Sequence, residues 1–138
     1  MYVQQPEAVS GETLDQIRAL IPTLDLAPGP GGSRITPLGL SPAALSCREA
    51  FHLTVFDQAM IVALYPSSQL VAHCDPPIAA TRLHIPVQIN DGCHVFHGGQ
   101  WQQLETGRSY AMDPTITHGA VNWGTETRFH LVIDKRQP

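Results

Sequence analysis

Cysteine is scarce. Cys47, Cys74 and Cys93 are an odd number in 138 residues and no pair has Cys-x-x-Cys spacing. That argues against a disulfide framework and against a closed, cysteine-rich zinc site. A reducing, cytoplasmic setting is the expectation. Basic residues are few too. Lys and Arg total 8 against 12 Asp and Glu, the net charge is −4, and no basic run occurs. A protein that grips a nucleic-acid backbone needs a positive stripe, so no nucleic-acid partner is expected. No apolar run reaches the ~20 residues that cross a bilayer, and no membrane partner is expected. The start, Met1-Tyr2-Val3-Gln4-Gln5-Pro6-Glu7, lacks the basic and apolar regions of a secretory signal.

Charged helix formers are sparse, whereas 12 prolines and 11 glycines punctuate the chain. That composition predicts short strands joined by turns. The length suits one domain, and no repeat, low-complexity segment or linker divides residues 1–138. Residues 1–50 read as a helix with flanking loops and 51–138 as a β core. Ser10 is placed to cap a helix carrying Leu14, Ile17, Leu20 and Ile21, which Pro22 stops. The segment 27–34 is rich in Gly and Pro. It reads as a surface connection or as a lid with Arg34 as a substrate contact. Strands are expected at 51–56, 60–65, 70–75, 82–90, 93–97, 101–104, 108–112, 118–122 and 127–134. Asp91-Gly92 and Gly98-Gly99 are the expected tight hairpin turns. Closely spaced short strands indicate an all-β sandwich or barrel with one short N-terminal helix.

His73-Cys74-Asp75 carries the chemistry. On a strand, residues two apart share a face, so His73 and Asp75 project together and Cys74 turns away. A distant His118 completes two imidazoles and a carboxylate, the facial set that holds non-haem Fe(II) with positions left open. His52, His94, His97 and His130 read as polar strand residues or as supports for the ligands. Asp113 is a candidate acceptor for the second N–H of His118, or a cap of the Asp113-Pro114 turn. Trp101 and Trp123 read as core or rim packing.

In the run Arg128-Phe129-His130-Leu131-Val132-Ile133-Asp134, alternation aims Arg128, His130 and Val132 one way and the apolar residues the other. An inward arginine needs an anionic partner. That partner is a protein carboxylate or the carboxylate of a bound small acid. Arg82 and His84 form a second inward polar pair. Together they suit a dicarboxylate co-substrate such as 2-oxoglutarate.

In order along the chain, Tyr65-Pro66, His73-Cys74-Asp75, Arg82-Leu83-His84, Asp91-Gly92-Cys93, Trp101, Gly107, Asp113, His118, Asn122-Trp123-Gly124 and Arg128 resemble the aspartyl/asparaginyl β-hydroxylase family of Fe(II)- and 2-oxoglutarate-dependent dioxygenases. The resemblance implies a double-stranded β-helix, a cupin-like jelly roll. It implies that His73, Asp75 and His118 bind iron and that Arg128 pairs with the distal carboxylate of 2-oxoglutarate. It implies that His84 helps hold the co-substrate and that Arg82 lines the pocket near co-substrate or substrate. Some family members carry glycine in place of the acidic ligand; this chain keeps Asp75, which argues against halogenation. Val62 stands where the family often uses a serine to hold the co-substrate. The helical-repeat region of the animal enzymes is missing, so a small molecule or short peptide is the expected substrate.

The expected activity is O₂-dependent hydroxylation of a C–H bond of an amino acid, small metabolite or peptide residue, with release of succinate and CO₂. Two alternatives stand beside it. One is a cupin-type metalloenzyme that uses no keto acid. The other is a non-catalytic small-molecule-binding cupin module.

Overall fold

β-Branched and apolar residues recur in short alternating runs, and the chain folds into two antiparallel sheets carrying two helices. The computed structural model describes residues 1–54 and 56–136. In chain order the elements are β1 (Val3–Ala8), α1 (Gly11–Leu20), β2 (Ala27–Pro28), β3 (Arg34–Pro37), α2 (Pro42–Ala50), β4 (Gln58–Leu64), β5 (Ser68–His73), β6 (Ala80–Gln88), β7 (Cys93–His97), β8 (Gln100–Gln102), β9 (Arg108–Met112), β10 (His118–Asn122) and β11 (Arg128–Arg136). The larger sheet runs β1-β9-β6-β11-β4-β3-β2 and the smaller β5-β10-β7-β8. From β4 onward successive strands mostly alternate between the sheets. That winding is the double-stranded β-helix.

Alternation along the central strands builds two interiors. Ile61 of β4, Ile85 and Val87 of β6, and Leu131 and Ile133 of β11 face the helices. The opposite-facing residues of the same strands look toward the smaller sheet, where Leu64, Tyr110, Met112 and Ala120 form a second core. Ser10 caps α1, its Oγ accepting from Thr13 N at 3.1 Å. Leu14, Ile17 and Ile21 then bury against the sheet. Full burial of a side chain such as Ile17 stabilises by about 1.5–3 kcal/mol. Among the described residues no helix is long and apolar enough to cross a membrane.

Three expectations need correction. A second helix, α2, joins the expected one. Its signals were local: Ser41 Oγ accepts from Ala44 N at 3.2 Å, and Pro42 occupies the first turn. The strand expected at 51–56 is absent where the chain is described. Phe51 closes α2, His52 has φ 54°, and the Asp57 carboxylate accepts from Thr54 N at 2.7 Å. Position 55 lies outside the described residues. Third, Asp91-Gly92 does not close a hairpin, because β6 and β7 belong to different sheets. Gly92 is needed for close approach instead: a Cβ there would strike the backbone of Trp123 and Gly124. Gly98-Gly99 does form the expected β7–β8 hairpin, with φ of 59° and 85°.

The crossing near Gly92 is tied by Asn122. Its buried amide donates to the carbonyls of Leu64 at 2.9 Å and Glu126 at 2.8 Å and accepts from Gly124 N at 3.1 Å. Asn122→Ala strands these buried groups and is expected to cost about 2–3 kcal/mol. Chemical denaturation measures it; a loss near zero would mean that water replaces the amide.

Candidate metal centre

Strand pairing brings the two distant histidines together. β5 ends at His73, β10 begins at His118, and the two residues face each other in the antiparallel register. Their ring centroids are 4.4 Å apart. Each ring is held by a carbonyl two residues upstream. His73 Nδ1 lies 2.7 Å from Val71 O, and His118 Nδ1 2.8 Å from Ile116 O. A carbonyl can only accept, so both Nδ1 atoms carry a proton, and in the neutral ring that tautomer leaves the Nε2 lone pair free. Burial, before any other influence, lowers the His118 pKa and keeps that ring neutral.

The strand expected at 70–75 stops at His73. Asp75 reaches the site from an extended segment whose amide donates to Pro114 O at 2.8 Å. Its carboxylate lies 3.4 Å from His73 Nε2 and 3.5 Å from His118 Nε2. One donor atom from each of the three residues falls within 4.8 Å of the others. Two imidazole nitrogens and one carboxylate, each ring fixed from behind, fit a divalent first-row metal such as iron. Cys74 points away and is exposed, its Sγ 3.3 Å from Thr117 Oγ1.

Arg82 is held by two carboxylates at the cavity wall. Nε and Nη2 donate to the Asp134 carboxylate at 2.7 and 2.9 Å, and Nη1 donates to Asp75 Oδ2 at 2.9 Å. The hydrogen bonds to Asp134, first of all, raise its pKa. Arg82 thus steadies the Asp75 carboxylate through Oδ2, while Oδ1 faces His73 Nε2.

Arg128 is the reverse case. It opens β11, is 3% exposed and lines the same cavity. Among the described residues no carboxylate lies within ion-pair distance of it, and its Nε has no hydrogen-bond partner. Burial lowers its pKa, yet a guanidinium stays charged. The cavity between the metal-ligand set and Arg128 has a volume of about 320 Å³ and also takes in His84 and Val62.

His84 Nδ1 lies 3.1 Å from Nδ1 of the fully buried His130. Burial first, and Arg128 next, push both rings well below the ordinary imidazole value of 6.5. Both are neutral at pH 7, one donating and one accepting. The unfolded chain takes up these protons near pH 6.5, the folded chain only at lower pH. Stability is therefore full above 6.5 and falls as acid is added below it. For two such groups the slope approaches about 2.7 kcal/mol per pH unit. Denaturation midpoints across this range should show that loss, and the double variant His84→Gln/His130→Gln should flatten it; an unchanged slope would assign the acid sensitivity to other groups.

The remaining sequence expectations resolve as follows. Asp113 caps its own turn, its Oδ1 accepting from Thr115 N at 2.9 Å, while His118 uses Ile116 instead. His97 is buried and bonds to Asp113 O at 2.9 Å. Trp101 and Trp123 are exposed, so both sit outside the core; Trp101 packs on Phe96. In the 27–34 segment Ser33, not Arg34, lines the cavity, followed by Ile35. Tyr2 was not foreseen. Gln102 clasps its backbone, accepting from N at 2.7 Å and donating to O at 3.0 Å. The ring then packs edge-on to His84 at 5.2 Å, and burial pushes its phenol up to about 12. Nothing in the polar, unpatterned start of the chain signals that position.

Similar structures carry the same fold. An oxidoreductase of the 2OG-Fe(II) oxygenase family from Burkholderia pseudomallei superposes with a TM-score of 0.70 at 14% identity, over 99% of this chain and 84% of that one. A Pseudomonas putida prolyl-4-hydroxylase gives 0.67 at 15% identity, over 99% and 93%. An RmlC-like cupin from Shewanella frigidimarina gives 0.55 at 16%, over 97% and 94%. At these identities the likeness bears on fold alone. No curated protein matches the chain in sequence. The family model described as aspartyl/asparaginyl beta-hydroxylase matches residues 42–138, a span that holds the three converging ligand residues and Arg128. With more than two-thirds of its length matched, the chain belongs to the aspartyl/asparaginyl beta-hydroxylase family.

Proposed function

We propose that this chain is an Fe(II)- and 2-oxoglutarate-dependent dioxygenase that hydroxylates a C–H bond of an amino acid, small metabolite or peptide residue. His73, Asp75 and His118 would hold the iron. When bound, iron supplies O₂ activation coupled to oxidative decarboxylation of the keto acid to succinate and CO₂. The chain's own residues do the rest. Val71 O and Ile116 O fix the two rings with Nε2 forward. Arg82 holds Asp75 Oδ2 and so aims the carboxylate. Arg128 takes the distal carboxylate of 2-oxoglutarate in the fork geometry that guanidinium suits. His84 faces the same cavity as a neutral donor or acceptor. The enclosing walls orient the target carbon and keep bulk water away.

One observation carries the 2-oxoglutarate reading: a buried guanidinium without a carboxylate partner among the described residues, on the cavity that the ligand set faces. A buried unpaired charge is costly, so its counterion is expected from a ligand. Anaerobic titration of the Fe(II)-loaded protein with 2-oxoglutarate tests this. A visible metal-to-ligand charge-transfer band should grow in and saturate with one equivalent. A protein that binds iron but gives no band would favour a cupin-type metalloenzyme without a keto acid.

A further inference from the structure

We infer that the group this enzyme's substrate presents to the metal centre is an uncharged aliphatic chain, not a carboxylate or carboxamide; the inference rests on the oxygenase reading above. It follows from which polar groups of the cavity are already engaged. The cavity's charged side chains are Asp75, Arg82 and Arg128, beside its histidines. Arg82 has Nε, Nη1 and Nη2 all bonded to Asp134 or Asp75. Arg128 is reserved for the co-substrate. His73 and His118 spend Nδ1 on carbonyls and keep Nε2 for the metal. His84 is neutral and paired with His130. Two carboxylates, Asp134 and Asp75, already offset the Arg82 charge, so a second anion here meets no unbalanced cation and would lie against Asp75.

The remaining wall is apolar and comes from four separate stretches of chain. Ile35 belongs to β3, Met60 to β4 and Leu70 to β5, while Pro76 and Ile78 follow the ligand Asp75 directly. Pro76 and Ile78 are exposed and stand toward solvent. Of the polar lining, Ser33 already has a partner within the chain. Tyr2 lies within electrostatic reach of Arg128, on the co-substrate side. A substrate carboxylate entering here loses water and meets no unbalanced cation, and an amide meets a wall that is mostly apolar. An aliphatic chain forfeits no hydrogen bonds and gains contact with the apolar wall.

Binding to the zinc-loaded protein, measured by calorimetry, tests this without turnover. A first titration with 2-oxoglutarate alone checks the underlying reading; failure to bind there overturns the oxygenase proposal and this inference with it. The 2-oxoglutarate complex is then titrated with the N-acetyl amides of leucine, methionine, aspartate and asparagine. The leucine and methionine probes should bind about tenfold tighter or more than the aspartate and asparagine probes. Equal or reversed affinities, or no binding of any aliphatic probe to the 2-oxoglutarate complex, overturn the inference alone. Met60→Arg, which adds a cation to the wall, should swing the order toward the aspartate probe. An unswung order with 2-oxoglutarate still bound overturns the assignment of this wall to substrate.

Discussion

Replacing His73 or His118 by alanine is expected to weaken metal binding by about a hundredfold or more and to abolish turnover, while the fold survives. The two halves of that result have different causes. Affinity falls because each ring offers an Nε2 lone pair already aimed by its Nδ1–H bond, at 2.7 Å for His73 and 2.8 Å for His118. The further imidazole lining this cavity, His84, is bonded to His130 through its Nδ1. Stability changes little because neither ring belongs to either hydrophobic core. The loss is one hydrogen bond and some packing, about 1–2 kcal/mol. Asp75 keeps its Arg82 partner in both variants. Metal titration with a competing chelator reads the first half and thermal unfolding of the metal-free protein the second. A variant that binds metal like the parent would remove that residue from the ligand set. Unfolding of both variants would make the pair a structural element of the β5–β10 contact.

Much of this site was legible as sequence, and the reasons are specific. His73 and Asp75 sit two apart, so an extended chain sends them to one side whether or not the ladder continues past His73. Arg128, His130 and Val132 alternate against Phe129, Leu131 and Ile133, and the two faces do separate into cavity side and helix side. Partners set by tertiary contact were not legible. Nothing near Arg82 in sequence announces Asp134, 52 positions on, as the carboxylate that holds it. The register opposing β6 and β11, Arg82 to Asp134, creates that pair. The same register sets His84 opposite Val132, so His130, two positions back on the same face, lies diagonally across from it. Tyr2 is held at the cavity by Gln102, 100 residues away, which clasps its backbone, and by the pairing of β1 with β9. Asp91-Gly92 misled because a turn dipeptide reports close backbone geometry, not which sheet the next strand joins. The second helix is a different miss: Ser41 and Pro42 are ordinary start signals, but Cys47 and Ala44 make a short apolar stripe that reads weakly.

Arg128→Met is expected to move two measurements in opposite directions. The parent residue is a charge held in the interior with no carboxylate near it among the described residues. Replacing it by an apolar chain of similar length removes that desolvation cost, so the metal-free protein should be as stable as the parent or more so. The co-substrate, by contrast, loses its counterion. Truncating one member of a buried charge pair costs about 2–5 kcal/mol, so 2-oxoglutarate affinity should fall by roughly 30-fold or more. Arg128→Lys separates charge from shape. It keeps a cation but loses the planar fork, and an intermediate loss of about tenfold is expected. Chemical denaturation and calorimetry on the same three proteins supply both numbers. A structural arginine predicts the reverse: a destabilised methionine variant that still binds 2-oxoglutarate like the parent. Opposite movement of stability and affinity is what a site carrying strain for its ligand should produce, because the cost borne by the empty fold is the driving force that the bound carboxylate relieves.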